Sequence, residues 1–146
     1  MKSIAAAPVR TILATLVLML GLLTASHVAS APSAVADAEG CQPYSPITVL
    51  KYVVPRGVMC HEIDGSGNNI TSQEVAVYTV NTCNWRIDFV YKDLNGATWY
   101  RDTGTYHTGC SIPYRTRGSG WAKDGSACAQ MWVSGKLIVQ QCHRIF

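Results

Sequence analysis

The sequence predicts a small all-β protein, an antiparallel sandwich or barrel that is stapled by disulfides. Three observations predict this fold: apolar and polar residues alternate with a period of two, Gly, Asn and Asp punctuate the alternating segments, and the chain carries six cysteines. Period-two alternation between turn residues is typical of half-buried strands. Because no segment beyond residue 38 shows the apolar stripe of a helix, antiparallel sheets are the expected architecture.

The first 38 residues predict a secretion signal. Positive charges precede an apolar run over residues 11–24, and small residues in Ala-x-Ala order follow it. The run is shorter than the roughly 20 residues that a membrane span requires. We therefore expect cleavage after Ala36 or Ala38, and a secreted, extracellular domain over residues 39–146 without a membrane partner.

Two strands are predicted in the first part of this domain. Residues 47–54 are rich in β-branched side chains and stop at Pro55, which predicts one strand. Residues 57–63 predict a short second strand. The Gly, Ser and Asn residues at 64–69 then predict a turn, since these residue types adopt turn conformations readily.

Alternation is clearest in the middle of the domain. Residues 74–80 alternate, and residues 85–92 place Trp85 and Phe89 on one face, which we expect to be core. Asn95-Gly96 follows and predicts a hairpin into residues 97–102, with both residues at positive φ. A second hairpin is predicted near the C-terminus, where strands 127–133 and 137–143 flank a three-residue loop, 134–136.

Residues 103–125 predict a long ordered loop with one short strand near its end. The segment is rich in Gly, Thr, Arg and Tyr, and loops of this length in compact domains are often functional. Aromatic residues beside arginine are typical of interface hot spots, although such a loop can also fold its aromatics under itself. The predicted binding residues are Tyr106, His107, Tyr114, Arg115, Arg117, Trp121 and Lys123.

An even number of cysteines in a short exported chain predicts a disulfide framework. Several pairings are open from sequence alone. The three-residue loop would place Cys128 opposite Cys142, and the Asn95-Gly96 hairpin would bring Cys83 close to Cys110, though not in direct register. That assignment leaves the remaining two cysteines, so the favoured pairs are Cys41–Cys60, Cys83–Cys110 and Cys128–Cys142.

Neither a metal site nor a cofactor is predicted. The chain lacks a C-x-x-C pair, whereas zinc modules place ligands two to four residues apart. His61 follows Cys60 and His143 follows Cys142, and adjacent strand residues face opposite sides, so inward cysteines would leave both histidines in solvent. The turn at 64–69 offers oxygen atoms but lacks the ligand spacing of an EF-hand.

Catalysis is weakly indicated, and no catalytic residue is assigned. The chain lacks a G-x-S-x-G elbow, and oxidised cysteines leave no thiol nucleophile. The net charge of +3, from 12 basic and 9 acidic residues, is too small to predict a nucleic-acid partner. A small secreted nuclease or other hydrolase remains an alternative, with an acid, a base and phosphate clamps drawn from Glu74, His107, Arg101, Arg115 and Arg117.

Six short elements of the domain form a recognisable set: Gly57-Val-Met-Cys60-His-Glu-Ile, Asp64-Gly-Ser-Gly, Cys83-Asn-Trp-Arg-Ile-Asp-Phe, Tyr106-His-Thr-Gly-Cys110, Ala127-Cys128-Ala-Gln-Met-Trp and Cys142-His. They resemble small secreted cysteine-rich β-proteins of actinomycetes, and in particular the small adaptor subunit of the Umbrella toxin particles of streptomycetes. The resemblance covers nearly the whole domain and implies an adaptor that links a lectin-bearing subunit to a large toxin subunit.

The sequence therefore predicts a secreted, non-enzymatic protein-binding module, an adaptor or structural subunit of a toxin or antagonism complex. Its expected partners are other secreted proteins, either larger toxin subunits or a target hydrolase that it would inhibit. We expect the contact on residues 106–123, with the N-terminal segment as a second candidate and an added strand at a sheet edge as a third mode.

Overall fold

A computed structural model describes residues 38–146, which form strands joined by turns and loops. The predicted secretion signal lies outside the described residues except for Ala38, where the first strand begins. None of the described chain forms a helix suited to crossing a membrane. The strands are β1 Ala38–Tyr44, β2 Ile47–Val49, β3 Tyr52–Val54, β4 Gly57–Ser66, β5 Asn69–Tyr78, β6 Thr82–Asp93, β7 Thr98–Asp102, β8 His107–Ser111, β9 Tyr114–Arg117, β10 Gly120–Trp121, β11 Gly125–Val133 and β12 Lys136–Ile145.

Two antiparallel sheets form a sandwich, which confirms the predicted fold class. In the first sheet the order is β1-β4-β5, and β9 and β10 both pair with the free edge of β5. In the second sheet the order is β12-β11-β6, and β7 and β8 both pair with β6. The inner faces pack as one apolar core that includes Met59, Val75, Ile87, Phe89 and Met131.

The segment predicted as a long loop is instead mostly strand. Within residues 103–125 lie β8, β9 and β10, and only the strand near Trp121 was anticipated. The chain runs along the edge of the second sheet, crosses to the first sheet after Ser111, and then runs along that edge. These short strands are fixed by pairing with β5 and β6, which are distant in sequence, so local alternation does not reveal them.

The first predicted strand is also wrong, because residues 47–54 form a tight hairpin of β2 and β3. Leu50 takes a φ of 55° at the turn, which is unusual for a residue with a Cβ. Val49 and Val54 are buried and cover the core. The predicted hairpin at Asn95-Gly96 does form, but only Gly96 has a positive φ, of 82°, and its N–H donates to the Asp93 carbonyl over 2.9 Å.

All three disulfides join residues that lie directly opposite each other on neighbouring strands. The pairs are those favoured from sequence, and the Cα atoms are 3.9 to 4.0 Å apart. Cys83 and Cys110 are in direct register, contrary to prediction. No described cysteine is left with a free thiol. A framework of this kind is characteristic of proteins in oxidising compartments.

The pair Cys128–Cys142 forms for a different reason from the predicted one. The connecting turn has two residues, Ser134 and Gly135, both at positive φ, as a type I′ hairpin requires. That turn alone would shift the register by one residue. A bulge at Ile138, between the pairs Met131–Val139 and Trp132–Leu137, restores it.

Candidate functional site

The two strand histidines face the core, which corrects the sequence-based expectation. His61 and His143 are buried and their ring centroids lie 5.0 Å apart, whereas Cys60 and Cys142 are on the outer side. Adjacent residues do face opposite sides of the strand, as predicted, but the histidines face inward and the cysteines face outward. The His143 Nε2–H donates to the His61 carbonyl over 2.8 Å, so the pair helps to join the two sheets.

A chain of polar side chains runs through the core from His61 towards the side of the sandwich. His61 Nε2 donates to Gln73 Oε1 over 3.1 Å, and Gln73 Nε2 donates to the Tyr91 hydroxyl. The same hydroxyl accepts from Arg117. Burial, and next the neighbouring His143, lower the pKa of His61 to about 4, although its hydrogen bond to Gln73 opposes this shift. His61 is therefore neutral at pH 7.

Two of the predicted binding residues, Arg115 and Arg117, join the two sheets along one side of the sandwich, where β9 faces β6 and β7; we call this region the side of the sandwich. Arg115 Nη2 lies 2.8 Å from Asp102 Oδ1, and Arg117 Nε lies 3.1 Å from Asp102 Oδ2. Arg115 Nη1 also donates to the carbonyls of Ile87 and Asp102 over 2.7 and 2.9 Å. Burial lowers the pKa of Arg117. These contacts tie β9 of the first sheet to β6 and β7 of the second.

A fully buried carboxylate, Asp88, engages Arg101. Asp88 Oδ2 accepts from Arg101 Nη1 over 2.9 Å, and Asp88 Oδ1 lies 3.2 Å from Arg86 Nε. The Gly104 N–H donates to the same Oδ1 over 3.1 Å, and a Cβ at Gly104 would lie 2.1 Å from the Ile87 carbonyl oxygen. Arg101 is thus held by structural contacts.

The residues proposed for a nuclease do not converge. Glu74 lies on the outer face of the first sheet. Desolvation, and next the hydrogen bond and charge of Glu74, raise the pKa of Tyr114. His107 belongs to the second sheet and stacks on Trp85, with ring centroids 3.9 Å apart. Because Glu74 points outward, away from the second sheet, Glu74 and His107 do not form the hydrogen-bonded acid–base pair that such catalysis needs. Within residues 38–146, no group of three His, Cys, Asp or Glu residues is placed to hold a metal ion.

One end of the sandwich exposes a group of large apolar side chains, which we call the apolar end. Its members are Tyr78, Val80, Ile112 and Tyr114, with exposed fractions of 68%, 67%, 56% and 50%. They come from the two connections that cross between sheets, after β5 and after β8. Contiguous exposed apolar residues on a small protein often mark an interaction surface.

Backbone pairing shows that these residues are neighbours. The Val77 N–H donates to the Pro113 carbonyl over 3.2 Å, which places Tyr78 beside the 112–114 segment. Thr82 pairs with Ser111, and its hydroxyl donates to the Val80 carbonyl over 3.4 Å. The disulfide Cys83–Cys110 lies one residue further along the same pair of strands. The apolar end is therefore one braced surface.

Of this surface, sequence reasoning identified Tyr114 and missed the other three residues. A signal for two of them was present, because Ala76, Tyr78 and Val80 make the outer face of strand 74–80 apolar as well as its inner face. A strand that is apolar on both faces is typical of one that is covered on both. Nothing comparable marks Ile112.

The opposite end of the sandwich carries the predicted residues Trp121 and Lys123. They line an open cleft of about 440 Å³ with Asn68, Asp93, Leu94, Asn95 and Asp124, and we call this site the polar cleft. Tyr106 and His107 lie in neither place: both are exposed at the start of β8. The predicted binding residues are therefore divided among the apolar end, the polar cleft, β8 and the side of the sandwich.

Comparison with known proteins found no matching family model, no similar curated protein and no similar solved structure.

Proposed function

We propose that this chain is a secreted, non-enzymatic binding module that joins another protein through its apolar end. The observation that carries the proposal is the exposure of Tyr78, Val80, Ile112 and Tyr114 on one disulfide-braced surface. Exposed apolar area is costly in water, and burying it against a partner is the main driving force for association. Tyrosines at such a surface suit an interface, since their hydroxyls stay hydrated at its rim.

The adjacent strand edge favours a polypeptide as the occupant. Among the described strands, β8 pairs only with β6, and all five of its residues are exposed. Its other edge offers N–H and C=O groups that a partner strand could pair with. A partner that adds a strand to β8 would also cover Ile112, which directly follows that strand. The adaptor role in a toxin or antagonism complex, which the sequence resemblance implies, fits such a contact.

Co-purification from the culture medium of the producing organism tests the proposal. The secreted protein carries a tag and is compared with the double variant Val80→Asp/Ile112→Asp, whose substitutions lie at exposed positions. The control is Leu50→Asp, at the exposed turn between β2 and β3, outside both the apolar end and the polar cleft. We expect the wild type and the control to recover a partner in fixed stoichiometry, and the double variant to bind it about thirtyfold more weakly or not at all, as at a hot spot of about 2 kcal/mol.

Recovery of the protein alone, or equal recovery by the double variant, would contradict the proposal. The assay also separates the alternatives. An inhibitor would be recovered with one hydrolase whose activity it blocks. A nuclease would degrade RNA without a partner, and His107→Ala would abolish that degradation.

A further inference from the structure

The polar cleft lies at the end of the sandwich opposite the apolar end and is built from three connections. These are the β4–β5 turn with Asn68, the β6–β7 turn with Leu94 and Asn95, and the β10–β11 connection with Asp124. Its volume of about 440 Å³ falls within the roughly 300–1,000 Å³ typical of small-ligand sites. The cleft is thus large enough for one or two sugar-sized rings.

An exposed indole forms one wall of the cleft. Trp121 is 64% exposed, although Ala122 beside it is buried and donates its N–H to the Asn68 carbonyl over 2.8 Å. Trp121 also pairs with Asn69 at the start of β5. The backbone on both sides of the indole is therefore fixed, and the ring presents flat apolar area to solvent at a defined place. Leu94, 68% exposed, adds apolar area to the same cleft.

Polar atoms of the cleft are held in place by the turns. Asn68 Nδ2 donates to Asp124 Oδ1 over 2.9 Å. Asp93 Oδ1 accepts from the N–H groups of Asn95 and Ala97, each over 2.9 Å. These bonds use one oxygen of each carboxylate. In the described part of the chain, neither second oxygen has a hydrogen-bond partner, so two oriented acceptors remain for hydroxyl donors.

The charged side chains that line the cleft argue against both an anionic and a cationic ligand. Two carboxylates face one ammonium, and none of the three makes an ion pair within 4.0 Å among residues 38–146. An anionic ligand would be repelled by Asp93 and Asp124. A cation would meet Lys123, whose Nζ lies 5.2 Å from the Trp99 ring centroid. Cation recognition also favours a cage of several aromatic rings, whereas the cleft contains a single one, Trp121.

We propose that the polar cleft binds a neutral pyranose unit of an oligosaccharide. One apolar face of the ring would stack on Trp121, and its hydroxyls would donate to Asp93 and Asp124 while Asn95 supplies amide donors and acceptors. Such a site combines apolar contact with a few oriented polar groups, as ligand sites in proteins generally do. It would act independently of protein binding at the apolar end.

Titration calorimetry with the neutral tetrasaccharides of glucose (β-1,4 and α-1,4), N-acetylglucosamine and mannose tests this proposal. We expect at least one to bind, with a loss of about tenfold or more in Trp121→Ala, where the stacking surface is removed. Leu94→Asp is the second variant, because it removes the other apolar contact at an exposed turn. The control Leu50→Asp, at the exposed turn between β2 and β3, should bind as the wild type does.

Failure of all four sugars to bind at about 10 mM, or binding that Trp121→Ala leaves unchanged, would overturn the proposal. Binding of trigalacturonate or choline in place of the neutral sugars would also overturn it. Two further probes distinguish the source of the sugar. Sedimentation with insoluble chitin or cellulose would indicate a wall polysaccharide, and capture by immobilised ribonuclease B would indicate a glycoprotein glycan. Either result supports the proposal when Trp121→Ala abolishes it, and the absence of both, together with no binding in calorimetry, contradicts it.

Discussion

The apolar end and the polar cleft lie at opposite ends of one sandwich, and the chain reverses differently at each. Two of the three connections at the polar cleft are tight turns within a sheet, and such turns favour Asn, Asp and Gly for conformational reasons. At the apolar end the chain crosses from one sheet to the other, after Tyr78 and after Ser111. No turn conformation requires large apolar residues there.

This difference distinguishes residues whose presence the fold explains from residues whose presence it does not explain. Asp93 stabilises the turn in which it lies, and Asn68 ties its turn to the β10–β11 connection through Asp124, so the presence of these residues alone does not imply a ligand. The side chains of Trp121 at the polar cleft, and of Val80 and Ile112 at the apolar end, make no hydrogen bond, ion pair or ring contact among the described residues and are exposed. Function is therefore best sought at these three side chains.

The largest expected effect comes from removing the disulfide beside the apolar end. Cys83→Ala/Cys110→Ala should lower the free energy of unfolding by about 3 to 4 kcal/mol, because the bridge closes a segment with a sequence separation of 27. Amide exchange should accelerate in β8 more than in β10. The control Cys41→Ala/Cys60→Ala should destabilise by a similar amount without selective exchange in β8. Equal exchange of β8 in both variants would contradict a locally braced apolar end.

Acid should lower the free energy of unfolding through His61, which is buried in the core between the two ends. Unfolded His61 binds a proton below about pH 6.5, whereas in the folded protein its pKa is about 4. The unfolded state therefore binds more protons between these values, and the free energy of unfolding should fall by up to about 3 kcal/mol as the pH decreases from 6.5 to 4. Above pH 6.5 this contribution should be constant.

Chemical denaturation across this pH range measures the effect. In His61→Gln the carboxylates still titrate, but the histidine contribution is removed, so the slope between pH 6.5 and 4 should be smaller than in the wild type. The slope is the readout even where the variant is less stable throughout. An unchanged slope would mean that His61 is protonated in the folded protein.

A smaller effect is expected at the side of the sandwich. Asp102→Asn should lower the free energy of unfolding by about 1 to 2 kcal/mol, because it removes the charge that Arg115 and Arg117 share while they keep their other partners. The side of the sandwich lies between the two ends. The midpoint of thermal unfolding should therefore fall in this variant, while both binding sites keep their affinities. Loss of affinity at either end would show that the ends are coupled.

The smallest effect should be a gain in stability on the outer face of the first sheet. Glu39 lies opposite Glu62, and Glu62 lies opposite Glu74, without an ion pair among the described residues for any of them. Like charges in direct register repel, so Glu62→Gln should raise the free energy of unfolding by about 0.5 kcal/mol. The gain should shrink in high salt, since screening already weakens the repulsion. A loss of stability would show that Glu62 has an attractive partner.

Alternation predicted the strands but not always which face is buried. Along β4, Met59 and Ile63 share a face with His61, and burying these two apolar residues carries the histidine inward. Considering only His61 and Cys60 led to the opposite expectation. The sandwich and the identity of the three disulfide pairs agree with the prediction from sequence, but the bulge at Ile138 and the β6–β8 register that place two of these pairs were not predicted.

The divided placement of residues 103–125 was not predictable, because it depends on pairing with distant strands. The all-exposed β8 has no alternation to detect. The contacts of Arg115 and Arg117 with Asp102 require both sheets to be in place. For the same reason the apolar end was only partly predictable: the apolar outer face of residues 74–80 indicates Tyr78 and Val80, but no single segment shows that they lie beside residues 112–114.

Hydrogen–deuterium exchange of the secreted protein, alone and in the assembly recovered from culture medium, tests the central claim most directly. Because the apolar end and the outer edge of β8 are proposed to bind the partner, we predict slower exchange in the assembly over residues 78–82 and 107–114. Residues 93–97 and 121–124, at the polar cleft, should exchange equally in both samples. Protection confined to the polar cleft, or no protection anywhere, would contradict the account.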